Sequence, residues 1–162
     1  VEMKLLLVAI ILFSSLWVTG CSGNTFNAGK DTAVVSKNEF PPSIPGVVKV
    51  NNTKHEMVAG GYKWEREQGS ETQVVQTDAA SPYQIGEDFK AITLEQNQKI
   101  TIEIEENPEL VVYLWNKDGR EKEITLNENQ ITAPASKGRY IFEVLAKWTN
   151  GEVSYTFVAE VK

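Results

Sequence analysis

Lys99-Ile100-Thr101-Ile102-Glu103-Ile104-Glu105 alternates apolar and polar residues without a break. A period of two is the spacing of a half-buried β-strand: the three isoleucines line a buried face, and Thr101, Glu103 and Glu105 face water. Shortly after it, Leu110-Val111-Val112-Tyr113-Leu114-Trp115 is apolar on both faces, as a central strand is. Asn116-Lys117-Asp118-Gly119 then reverses the chain, because Asp-Gly tolerates positive φ.

Outward from this pair the same alternation recurs. Strands are expected near Val47 to Val50, Met57 to Glu65, Gln73 to Gln76, Lys99 to Glu105 and Leu110 to Asn116. More follow near Glu121 to Leu126, Gln130 to Ala133, Arg139 to Trp148 and Glu152 to Val161, the last two joined at Asn150-Gly151. Turn residues at intervals of about 8–12 residues mark a sandwich or barrel. One short helix is predicted, with Ser81 as N-cap, Pro82 at its first position and Gln84 in the capping-box slot. Tyr83, Ile85 and Phe89 form its apolar stripe, and Gly86 is expected to keep it short.

Gly138-Arg139-Tyr140-Ile141-Phe142 opens a long strand with a tyrosine two residues ahead of a large core residue. That is the spacing of the tyrosine corner of immunoglobulin-like sandwiches, in which the phenol bonds backbone just upstream. Phe142 then stands where antibody domains carry cysteine, and Trp115, 13 positions after Ile102, is the counterpart of the core tryptophan. The competing reading is an ordinary amphipathic strand with an interfacial tyrosine. Parity places Tyr140, Phe142, Val144, Ala146 and Trp148 on one face, with Trp148 at the far end of the core stripe. The expected fold class is all-β, an immunoglobulin-like β-sandwich.

The N-terminus reads as an export signal: Lys4, the apolar run Leu5 to Leu16, and Val18-Thr19-Gly20-Cys21 as a lipobox. The run is too short and too polar for a comfortable membrane span, which takes about 20 apolar residues. A plain signal peptide or uncleaved anchor is the alternative, but the only cysteine of the chain falls at the cleavage position. Cys21 is therefore expected to carry diacylglycerol, anchoring the protein on the extracytoplasmic face of the cell membrane. The expected organisation is a signal peptide over 1–20, a flexible tether over 21–46 that ends in Pro41-Pro42-Ser43-Ile44-Pro45-Gly46, and a sandwich over 47–162. Phe26 and Phe40 are isolated apolar residues in that tether, and Ala33-Val34-Val35 could instead pair as an edge strand.

Sixteen basic and 22 acidic residues give the 162-residue chain a net charge of −6, which argues against nucleic acid and other polyanions as partners. With Cys21 acylated no disulfide forms, so stability must come from the core. His55 is the only histidine and sits in a polar turn, which leaves no nitrogen and sulfur set for zinc and no nucleophile–base pair. No phosphate-cradling glycine loop or dinucleotide fingerprint occurs, and no cofactor is expected. Glu103, Glu105, Glu106 and Glu109 read as a solvated face, and Asn116-x-Asp118-Gly119 as a turn without the further oxygens a calcium loop needs.

Several blocks together resemble a known family. Gly60-Gly61-Tyr62-Lys63-Trp64, Thr77 through Pro82, Trp115 with Asp118-Gly119, and Lys137 through Tyr155-x-Phe157 look like a domain of Bacillus-type Firmicute lipoproteins. The resemblance covers about Pro42 to Lys162, and its final block is the specific part. It implies a small surface-exposed β domain, with sensing or accessory roles suspected and no activity assigned. Members often carry a cysteine in the tyrosine–tryptophan segment, whereas this chain has Tyr62 there. The resulting expectation is a non-enzymatic module that docks on a membrane or envelope protein. The alternative is a binder of a small molecule or cell-wall glycan through exposed aromatics, with Tyr62, Trp64 and Asp78 as its binding residues and Trp148 and Tyr155 beside them. Core packing is the competing role for those rings, and backbone capping for Asp78.

Overall fold

The computed structural model describes residues 39–162. Eleven strands and one helix follow in chain order: β1 Gly46–Val50, β2 Thr53–Glu56, β3 Val58–Gln68, β4 Glu71–Thr77, α1 Pro82–Asp88 and β5 Ile92–Leu94. Then come β6 Lys99–Ile104, β7 Glu109–Asn116, β8 Gly119–Ile124, β9 Gln130–Thr132, β10 Gly138–Trp148 and β11 Gly151–Val161. The small sheet has the order β2-β1-β6-β9 and the large sheet β4-β3-β11-β10-β7-β8, with β5 parallel to the end of β11. All other pairings are antiparallel.

This is an immunoglobulin-like sandwich. In that scheme β6 and β9 take the B and E places of one sheet, while β7, β8, β10 and β11 take C, C′, F and G of the other. β1 occupies the A place beside β6, and β2 through β5 with α1 form an insertion between them.

Alternation places the core where the period predicts it. Val48, Val50, Ile100, Ile102 and Ile131 of the small sheet face Val112, Phe142, Val144, Ala146, Tyr155 and Phe157 of the large one, all nearly or fully buried. Phe142 and Phe157 are cross-strand partners whose rings stack 4.8 Å apart. Burying each such side chain contributes about 1.5–3 kcal/mol. The tyrosine corner is present: the Tyr140 hydroxyl donates to the Ser136 carbonyl at 2.9 Å. Tyr140 and Trp148 pack at the two ends of the core stripe.

Helix α1 carries the predicted capping box, with Gln84 N donating to Ser81 Oγ and Ser81 N donating to Gln84 Oε1. It lies on the outer face of the large sheet. At its other end Arg139 Nη2 donates to the carbonyls of Gly86 and Phe89, placing a cation where the helix exposes unpaired acceptors.

Five features differ from the sequence reading. The core tryptophan is Trp64, 2 % exposed, and not Trp115, because β7 turns Leu110, Val112 and Leu114 inward and sends Trp115 out. Gly151 does not serve the last hairpin by positive φ: the two-residue turn is Thr149-Asn150, and Gly151 pairs with Trp64 at a spot where a Cβ would lie 2.5 Å from the indole Cδ2. Gly86 sits inside α1 and does not end it; its bare Cα lets the helix close on Ile141. The domain also begins before Val47. Ile44 is buried, Phe40 packs against the core with Arg66 over its ring, and the Tyr155 hydroxyl donates to the Ile44 carbonyl at 2.6 Å. Finally, Thr53–Glu56 is a strand rather than a loop, because Asn51 and Asn52, both at positive φ, close a two-residue hairpin onto β1.

Candidate binding face

A solvated face of an antiparallel sheet ordinarily carries alternating polar residues. The outer face of β7 and β10 does not. Val111, Tyr113 and Trp115 stand there against Leu145, Glu143 and Ile141, pair by pair, because both strands are apolar at both parities. α1 covers Ile141, while Val111, Tyr113, Trp115 and Leu145 remain half-buried.

Glu143 organises this face. Its side chain is 4 % exposed, yet both oxygens are fully engaged. Oε2 accepts from Trp115 Nε1 at 2.6 Å and Arg120 Nε at 2.8 Å; Oε1 accepts from Arg120 Nη2 at 3.0 Å and Ser154 Oγ at 2.9 Å. The two-pronged contact is the geometry a planar guanidinium gives a carboxylate. Burial alone pushes the Glu143 carboxyl up, but the hydrogen bonds from Arg120, Trp115 and Ser154 together outweigh it and hold the group below the usual glutamate range. The same bond raises the Arg120 guanidinium against its own burial.

The guanidinium also lies 4.3 Å above the Tyr113 ring. Arg120 is thereby fixed on both sides, at Glu143 and at Tyr113, while 44 % of its side chain stays open to solvent. Thr156, directly across from Glu143 on β11, buries its hydroxyl with no partner. Beside this cluster a groove of about 600 Å³ runs between α1 and the β7–β8 hairpin, floored by Trp115 and Ile141 and flanked by Tyr83, Glu87 and Glu121.

The residues singled out from the sequence lie elsewhere. Tyr62 and Trp64 share the inner face of β3: Trp64 packs on Trp148 with ring centroids 5.0 Å apart, and Tyr62 is half-buried against the core. Tyr155 is 1 % exposed. Trp64 and Tyr155 are therefore core, and Tyr62 and Trp148 pack half-buried against it, the role that competed with a stacking platform. Asp78 is exposed in the loop before α1, whose cap is Ser81 and not Asp78. Glu103 pairs with Lys54 at 2.7 Å and lies near Lys49 on the outer face of the small sheet, and the Lys54 hydrogen bond lowers its pKa. Asn116 and Asp118 form a turn, with Asp118 N donating to Asn116 Oδ1 at 2.8 Å. Among the described residues no three His, Cys, Asp or Glu side chains gather as metal ligands would. Cys21, the signal peptide and Ala33-Val34-Val35 lie outside the described residues.

Sequence reading missed the cluster of Tyr113, Trp115, Arg120, Glu143 and Ser154. The available signal was Glu143 itself, a lone carboxylate in the middle of an otherwise apolar strand, Tyr140 to Ala146. A charge in that setting must find partners across the sheet.

Comparison with known protein families, with curated proteins and with solved structures finds no match to this chain.

Proposed function

We propose that this protein is a lipid-anchored extracytoplasmic binding module, without catalysis of its own, that docks on a membrane or envelope protein. The anchor is Cys21 in the Val18-Thr19-Gly20-Cys21 lipobox, and the likeness to Bacillus-type lipoproteins is in keeping with that address. The docking surface is the outer face of β7, β8 and β10. The observation that carries it is the fixed Arg120 guanidinium on Tyr113, backed by a saturated Glu143 and bordered by Val111 and Leu145.

Tyrosine and arginine are the residues that most often anchor protein interfaces, because they offer large contact areas. Here the entropy of holding Arg120 is already spent within the fold, so little further ordering is needed when a partner arrives. A photo-reactive residue at position 145, which borders the face without holding Arg120, tests the surface of the lipidated protein in living cells. A discrete protein adduct at 145, and none from the same residue at Lys54 on the opposite sheet, is the expected result. Equal labelling from both positions, or none from either, would sink the proposal.

A further inference from the structure

We propose that the free edge of β4 pairs with β4 of a second copy of this chain, antiparallel and centred on Val74. This goes beyond the docking reading and stands without it, since β4 and β8 are opposite ends of the large sheet.

An unpaired row of amides at a sheet edge templates another strand unless something blunts it. Among the described residues, three of the four sheet ends are blunted. β2 is four residues long and carries Lys54 and Glu56, β9 is three residues long, and β8 runs Arg120-Glu121-Lys122-Glu123 beside a register shift. β4 has none of these devices. It is seven residues long, it pairs with β3 without a break, and Thr72-Gln73-Val74-Val75-Gln76-Thr77 contains neither charge nor proline. Val74, 48 % exposed, is the one exposed large hydrophobic side chain among the described residues.

The register follows from which amides are free. Gln68 and Glu71 close a two-residue hairpin at Gly69-Ser70, so residues 71, 73, 75 and 77 turn their backbone groups to β3. Glu65 N accordingly donates away from β4, to the Asn150 carbonyl. Thr72, Val74 and Gln76 therefore present their amides and carbonyls to the open edge. A two-fold axis at Val74 sets Val74 against Val74 of the second copy, and Thr72 against its Gln76, so that every free group on this stretch finds a partner.

The edge suits its own copy because no charge is opposed in this register. Glu71 meets Thr77, Gln73 meets Val75, and the two valines cover each other on the outer face. The carboxylates nearest the axis, Glu65 and its symmetry mate, lie three strand spacings apart, about 14 Å, beyond the screening length of about 8–10 Å at ordinary salt. Each is also paired with Lys63 at 2.7 Å.

The test oxidises full-length single-cysteine variants with copper phenanthroline and reads dimers on a non-reducing gel, with the parent as the control for Cys21. Directly opposed Cα atoms about 5.5 Å apart are within disulfide reach. Val74→Cys should crosslink to itself. Thr72→Cys faces the same way but lies about 14 Å from its own mate, so it should crosslink at least tenfold less, yet pair readily when mixed with Gln76→Cys. A tenfold excess of parent should lower the Val74→Cys dimer about tenfold by competition, whereas an excess of Val74→Lys, which sets a charge on the axis, should not. Position 74 is a half-exposed edge site, so these variants keep the fold. Tyr113→Ala/Arg120→Ala, which disables docking, should leave the crosslink unchanged. No dimer from Val74→Cys, equal dimer from Thr72→Cys alone, or equal competition by Val74→Lys and parent would each overturn the inference.

Discussion

The indole Nε1 of Trp115 donates to Glu143 Oε2 at 2.6 Å across the outer face of the large sheet. That bond explains two things at once. It gives an outward tryptophan a buried partner for its single donor, and it supplies one of the four hydrogen bonds that make a 4 % exposed carboxylate tolerable.

Removing the carboxylate should therefore be costly. Glu143→Ala leaves Arg120, Trp115 and Ser154 without their shared acceptor. The expected loss is about 2 kcal/mol, below the value for a fully buried pair because Arg120 remains partly solvated. Urea midpoints measure it, and a variant within 0.5 kcal/mol or so of the parent would contradict the account.

A pH dependence accompanies this. Because the folded-state pKa of Glu143 is lowered, its contribution is fully present above the ordinary glutamate value, about 4.3, and is lost as pH falls through the lower folded-state value. Glu103, also lowered through Lys54, contributes in the same direction. The difference between parent and Glu143→Gln stability curves isolates the first group: it should shrink on acidification, and parallel curves would refute the assignment.

Tyr140→Phe removes only the hydroxyl that closes the corner onto Ser136. A net cost of about 1 kcal/mol is expected, with the core stripe intact. Phe142→Ala, by contrast, empties a fully buried site stacked on Phe157 and should cost about 3–5 kcal/mol. Equal midpoints for the two variants would contradict the larger share assigned to the stripe.

Tyr155→Phe probes the start of the domain. Burial pushes the Tyr155 phenol pKa up, so the hydroxyl stays protonated and donating to Ile44 into alkaline pH. Without it the Ile44 carbonyl loses its buried partner. A loss of about 1–2 kcal/mol is expected, together with faster proteolysis near residues 40–45. Unchanged cleavage there would mean that Phe40 and Ile44 hold this segment by packing alone.

Gly151→Ala forces a methyl into the Trp64 ring and against the Lys63 carbonyl. Overpacking at this backbone contact should cost about 1–3 kcal/mol. Asn150→Ala, one residue away in the exposed turn, should shift the melting temperature far less. Comparable shifts would contradict the close-approach role of this glycine.

The period-two alternation made most of the sandwich legible, from Ile100, Ile102 and Ile104 to the stripe of β10, and the Ser81-Pro82 signature located α1. Two strands escaped for physical reasons. β2 has no apolar face and exists because Asn51-Asn52 folds it back onto β1; β5 is three residues long and is held by β11, 65 or more positions away. The proposed binding face was harder to read. Composition identifies tryptophans but not which side of a sheet they take, and here Trp64 turned in and Trp115 out. Glu143, Arg120 and Ser154 come from three strands, and only the register brings them together.

The docking claim is tested most directly by in-cell crosslinking and affinity capture from three strains, carrying the parent protein, Cys21→Ala and Tyr113→Ala/Arg120→Ala. One membrane or envelope protein enriched with the parent, and lost from both variants, is the predicted result. Capture that survives the double substitution, or a parent that captures nothing at saturating crosslinker, would contradict docking through this face.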